Sequence, residues 1–98
     1  MTGRYPSEPE LEAIRRWDYH SIKGVFDYIK SIWEYADWGW HEENTTDNGK
    51  PIIRYKISTG GWSGNEEILS ALRENHVIWS FSWVQSRRGG HYIFEINP

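Results

Sequence analysis

The side chains able to do chemistry in this 98-residue chain are four histidines, a scatter of serines, a glycine-rich loop and a run of carboxylates set among tryptophans. His20, His41, His76 and His91 show no i,i+4 pair with a third ligand, the spacing a zinc site needs. On a strand, His41 and Glu43 would face the same way, a thin basis for a metal and an ordinary arrangement for a solvated hairpin edge. His91 and Glu95 would share the outer face of the last strand, but four residues apart they lie beyond the hydrogen-bond reach of a general acid–base pair. Ser63, Ser80, Ser82 and Ser86 are the hydroxyls considered as nucleophiles, and none sits in a Gly-x-Ser-x-Gly elbow; the local run is Gly61-Trp62-Ser63-Gly64. With no cysteine there is no thiolate nucleophile or ligand. A non-catalytic protein without metal or cofactor is expected.

The loop Gly60-Gly61-Trp62-Ser63-Gly64-Asn65 stands between a strand pattern and a helix pattern, the setting in which backbone N–H groups can hold an anion. It lacks the closing Lys-Ser/Thr of a P-loop and the Gly-x-Gly-x-x-Gly spacing, and Glu66 and Glu67 would repel a phosphate from the first helical turn. It reads as a tight turn and a helix cap, with Ser63 and Glu66 at capping-box spacing. Trp62 lies on no periodic face and is either a plug at the core edge or a contact residue.

Charge is more informative. From Ser31 to Gly49 the chain holds Glu34, Asp37, Glu42, Glu43 and Asp47 and no Lys or Arg, whereas residues 51–98 carry five Lys and Arg against four Asp and Glu. An acidic stretch beside Tyr35, Trp38 and Trp40 can dock a basic surface, as found on nucleic-acid-handling proteins; as a plain solvated face it would serve solubility. Arg87 and Arg88, at a hairpin tip, form the opposite pole and can grip a carboxylate or phosphate. The candidate partner-binding set is therefore Glu34, Tyr35, Asp37, Glu42, Glu43, Asp47, Trp62, Arg87 and Arg88.

These residues must be positioned by elements read from periodicity. Ser7 to Trp17 reads as a short helix, with Ser7 as cap and Pro9 in the first turn. Ile22, Val25, Phe26, Ile29, Ile32, Trp33 and Ala36 recur at helical spacing, predicting a second helix from Asp18 or Ser21 to near Asp37. Trp38–Asn44 and Ile52–Ser58 alternate about Thr45-Thr46-Asp47-Asn48-Gly49, a hairpin with Asn-Gly turn chemistry. A third helix is expected from about Gly64 to Asn75. Val77–Gln85 alternates as a strand with Val77, Trp79, Phe81 and Trp83 inward, and turns at Arg87-Arg88-Gly89-Gly90 into His91–Ile96. The open face is expected to show Ile52, Arg54, Lys56, Ile78, Ser80, Ser82, Val84, His91, Ile93 and Glu95. The order ααββαββ predicts an α+β fold, a mainly antiparallel four-stranded sheet with helices packed on one aromatic-rich face, in a single domain over residues 1–98. A parallel pairing of the second and third strands across the third helix would be right-handed.

The totals close off several classes. A net charge of −3 lacks the basic footprint of direct nucleic-acid binding. No apolar run approaches the length of a membrane span, and the N-terminus has no signal-peptide pattern. A cysteine-free chain suits a reducing cytoplasm. Seven tryptophans among sixteen aromatics read mostly as core: Phe26, Trp33, Trp38, Trp40, Tyr55, Trp79, Phe81, Trp83, Tyr92 and Phe94 fall on inward faces. The remaining rings, chiefly Trp62 and Tyr35, are the candidates for contact. The expectation is a small protein-binding module of the inhibitor or immunity type, of the kind carried by phage or mobile elements. It would dock an acidic and aromatic surface on a basic-surfaced protein. The alternatives are a sugar- or nucleotide-binding module using exposed rings, and a minimal His/carboxylate enzyme. Exposed hairpin edges allow a monomer or a homodimer.

Overall fold

A computed structural model of the chain describes residues 5–97. Helix α1, Glu8–Arg15, starts at a closed capping box: the Ser7 amide donates to Glu10 Oε1 at 2.8 Å and the Glu10 amide to Ser7 Oγ at 3.3 Å. The box expected at Ser63 and Glu66 is absent; Trp62 takes the cap position there, and Ser63 is already helical. A 3₁₀ turn, Tyr19–Ser21, is capped by Asp18 and leads into α2, Ile22–Ile32, whose Val25, Phe26 and Ile29 are buried.

Helix α2 stops at Ile32, short of the end near Asp37 that periodicity suggests. Two tertiary demands end it. Trp33 turns under the sheet, its ring 5.6 Å from Trp40 and its Nε1 donating to the Ser58 carbonyl at 3.2 Å. The buried Asn65 side chain takes both backbone groups of Glu34, accepting from its amide at 3.0 Å and donating to its carbonyl at 2.9 Å. A continuing helix would break all three bonds. The chain then makes a single turn, α3, Ala36–Gly39, before the hairpin β1, Trp40–Asp47, and β2, Lys50–Ser58. Asn48 and Gly49 join them with positive φ, as the Asn-Gly pair predicts.

Helix α4, Ser63–Glu74, is followed directly by α5, His76–Ser82, and then by the hairpin β3, Trp83–Arg87, and β4, His91–Ile96. The strand expected over Val77–Gln85 is thus helical for most of its length. Asn75 is the cause: its Oδ1 accepts from the Ile78 amide, restarting a helix, while its Nδ2 donates to the Ile14 and Trp17 carbonyls at 3.0 Å each. Ser80 and Ser82 return their hydroxyls to the carbonyls three and four residues back, so these serines sit comfortably in a helix. The change reverses five positions: Ile78 and Ser82 are buried, whereas Val77, Phe81 and Trp83 are exposed, Phe81 at 67%; Trp79 packs inward and Ser80 and Val84 face out as expected.

The sheet runs β1-β2-β4-β3 with every neighbouring pair antiparallel. The parallel pairing considered for the second and third strands does not form, because β4 is inserted between them. The fold is α+β, its helices on the face that presents Tyr55, Ile57 and Phe94. Phe26 stacks on Tyr55 at 4.5 Å and lies 5.3 Å from Phe94. Trp33 and Trp40 join this core, as expected; Trp79 and Tyr92 pack at its margin, and Trp38 lies outside it. The other sheet face is open, with His41, Glu43, Arg54, Lys56, His91, Ile93 and Glu95 as the register places them. Ile52 is buried, contrary to expectation.

Candidate functional site

Tyr35 carries the only non-glycine positive φ among the described residues outside the Asn48 turn, at φ 62° and ψ 37°. A bulky residue in the left-handed region costs about 1–3 kcal/mol and persists only where surroundings impose it. Here Asn65 holds the backbone of the preceding residue, and the Tyr35 carbonyl accepts from the amides of Trp38 (3.2 Å) and Gly39 (2.8 Å). Gly39 in turn lies so close to β2 that a Cβ there would meet the Ser58 carbonyl at 2.8 Å. The result is a projecting ring pair. Tyr35 stacks on Trp38 with centroids 5.7 Å apart, and both are exposed, at 43% and 51%. Gly60, at φ 64°, lies under the indole; a Cβ there would stand 2.6 Å from Trp38 Cη2. The exposed Asp37 lies between the two rings in sequence, and the half-buried Glu34 precedes them.

Behind this ridge the open sheet face forms a groove of about 560 Å³ lined by Trp38, His41, Lys56, Ile57, Ser58, Arg87, His91, Tyr92 and Ile93. All four strands build it. His41 pairs in register with Lys56, and Lys56 with Ile93; Ser58 pairs with His91, and His91 with Arg87. His41 Nε2 lies 2.9 Å from the Trp38 carbonyl, so that nitrogen donates; His91 Nδ1 and Ser58 Oγ are 3.0 Å apart. Ser58 therefore has an imidazole contact that Ser63, Ser80, Ser82 and Ser86 lack among the described residues. No third group orients His91 among the described residues, and a side chain poised to act needs one. No three of His, Cys, Asp or Glu gather as metal ligands among the described residues.

The remaining expected site residues separate. Glu42 faces the helices, accepting from Trp40 Nε1 at 3.0 Å with Lys30 at 3.7 Å. Glu43 faces the open side, bonded to Arg54 at 3.0 Å with Lys56 at 3.5 Å; the Arg54 hydrogen bond first, then the Lys56 charge, holds its carboxyl below the usual range. Asp47 lies at the far end of β1, in a shallow hollow with Ile52, Phe81 and Trp83. Trp62 is half-buried, 4.9 Å from Tyr5. Arg87 enters the groove, and Arg88 is exposed at the β3–β4 turn. The acidic run thus yields one assembled patch, Glu34 to Trp38, rather than a continuous face.

Asn65 and Ser58 carry no expected role in the sequence, and Lys56 is expected only as one of the groups on the open face. Asn65 had one signal, a polar residue inside a helix pattern one step before its apolar side. The register that brings Ser58 to His91 could not be read without knowing that β4 lies beside β2. No protein-family model matches the chain, and no curated protein or solved structure is similar to it.

Proposed function

We propose that the protein is a non-catalytic, cytoplasmic binding module of the inhibitor or immunity type that docks on a basic-surfaced protein through the Tyr35–Trp38 ridge. The observation that carries this reading is the left-handed Tyr35: the chain holds a strained backbone in order to keep two stacked rings outside a core that is already complete. Strain of this kind collects at sites of contact, and tyrosine and tryptophan are the side chains most often found as interface anchors. Asp37, and Glu34 before it, supply negative charge that steers a cationic partner and fixes its orientation.

The test is capture from a cell extract on immobilised wild-type protein, Trp38→Ala and Asp37→Lys, in low and high salt. The wild type is expected to retain a stoichiometric partner whose surface is basic, released as salt screens the pairing. Trp38→Ala is expected to lose it and Asp37→Lys to slow its association. Retention of the same proteins by all three baits, or of none by the wild type at low salt, contradicts the proposal.

A further inference from the structure

We infer that the groove on the open sheet face is a binding site for a phosphate monoester carrying a flat ring, the chemistry of a nucleoside monophosphate. This site goes beyond the protein-docking reading: it shares Trp38 with the ridge but takes its charged groups from the strands. Its lining holds two cations, Lys56 and Arg87, and two imidazoles, His41 and His91, and no carboxylate. Arg87 has no carboxylate within ion-pair distance among the described residues. In the swapped orientation of the Gln85 amide, its guanidinium nitrogens instead meet that neutral carbonyl, so the charge stays uncompensated. Lys56 is shared with Glu43 at 3.5 Å, an exposed contact of the weak kind that an anion can displace. Guanidinium, ammonium and imidazole groups thus reach into one hollow from four strands, the donor set that phosphate oxygens take.

The rest of the groove is shaped for something other than an anion. Ile93 gives it an apolar side chain, and the exposed indole of Trp38 bounds it; Ile57 and Tyr92 line it from strands whose side chains at those positions face the core. Trp38 is held by its stack on Tyr35 and by close contact of its ring atoms with the bare backbone of Gly60, and the half of its surface left exposed is a preset contact for a planar group. Stacking of a base on an aromatic side chain tolerates any base, since every base has a π-face. The volume, about 560 Å³, lies in the range of small-molecule sites and exceeds what a lone phosphate needs. The carboxylates that argue against a phosphate at the Gly60–Asn65 loop, Glu66 and Glu67, are absent from the lining here.

The experiment is titration of the full chain with the four ribonucleoside 5′-monophosphates, the matching nucleosides and inorganic phosphate, followed by calorimetry and by amide and indole N–H spectra. The nucleotides are expected to bind about tenfold or more tightly than either half alone, with the Trp38 indole signal moving and the Trp62 signal still. Arg87→Gln is expected to weaken binding about tenfold, the worth of one charge-assisted contact, and Lys56→Gln severalfold. Phe81→Ser, far from the groove and exposed, should bind as the wild type does. No heat or shift with any nucleotide overturns the site. So does inorganic phosphate binding as tightly as the nucleotides, an unchanged affinity in Arg87→Gln, or shifts that map to the Trp62 loop.

Discussion

At the scale of single residues, the structure separates groups that hold the fold from groups it displays. Asn65 is the clearest of the first kind. Buried, it satisfies the Glu34 amide and carbonyl and reaches the Thr59 carbonyl at 3.3 Å. Asn65→Ala leaves these backbone groups without their partner and is expected to cost about 3 kcal/mol in urea unfolding; a loss below about 0.5 kcal/mol would show that water replaces the amide. Tyr55 marks the reverse case. Its ring is wholly buried, its hydroxyl has no partner among the described residues, and burial pushes its ionisation well above the usual tyrosine range. Tyr55→Phe is expected to stabilise the protein by about 1 kcal/mol, read from the shift in urea midpoint. A destabilised variant would show that the hydroxyl is bonded in solution.

At the scale of elements, the sequence was read well where the pattern was local and poorly where a distant residue decided. The Ser7 cap, the buried face of α2 and the Asn-Gly hairpin all follow from residues within a turn of one another. The segment from Val77 to Gln85 does not. Its alternating Val, Trp and Phe satisfy a strand template, but Asn75, tied to the end of α1, starts a helix there. The two readings bury opposite residues, so two variants discriminate them. Ile78→Ala is expected to cost about 2–4 kcal/mol and Phe81→Ala less than about 0.5 kcal/mol. A costly Phe81→Ala with a tolerated Ile78→Ala would restore the strand. The candidate site was legible in the same uneven way. Tyr35, Asp37 and Arg87 could be named from charge and composition. Lys56, His91 and Ile93 were legible as open-face residues from alternation, but Ser58 was not, because the strand order that brings it to His91 depends on where α4 and α5 return the chain.

At the scale of the whole molecule, charge is distributed as pairs on the open face and at α1 rather than as one pole. Glu12 and Glu43 both have carboxyls held below the ordinary 4.5, Glu12 by hydrogen bonds from Arg16 and Arg15, Glu43 by Arg54 and Lys56. A depressed carboxyl favours the folded state fully above its ordinary value and loses that preference as pH falls through the lowered one. Stability is therefore expected to be flat from about pH 7 to about pH 5 and to decline below about 4.5. The decline should shrink in salt, since both groups face solvent. A urea midpoint that rises over the acidic range would contradict the pairing.

The docking proposal places two rings outside the core at the expense of backbone strain, and that claim can be tested without a partner. The measurement is urea unfolding of Tyr35→Gly beside the wild type. Glycine adopts φ 62° freely, so if the strain serves display rather than folding, the variant should be more stable by about 1 kcal/mol despite losing the ring. A variant less stable than the wild type by about 1 kcal/mol or more would mean that Tyr35 is part of what holds the fold, and the ridge would lose its claim to be a binding surface.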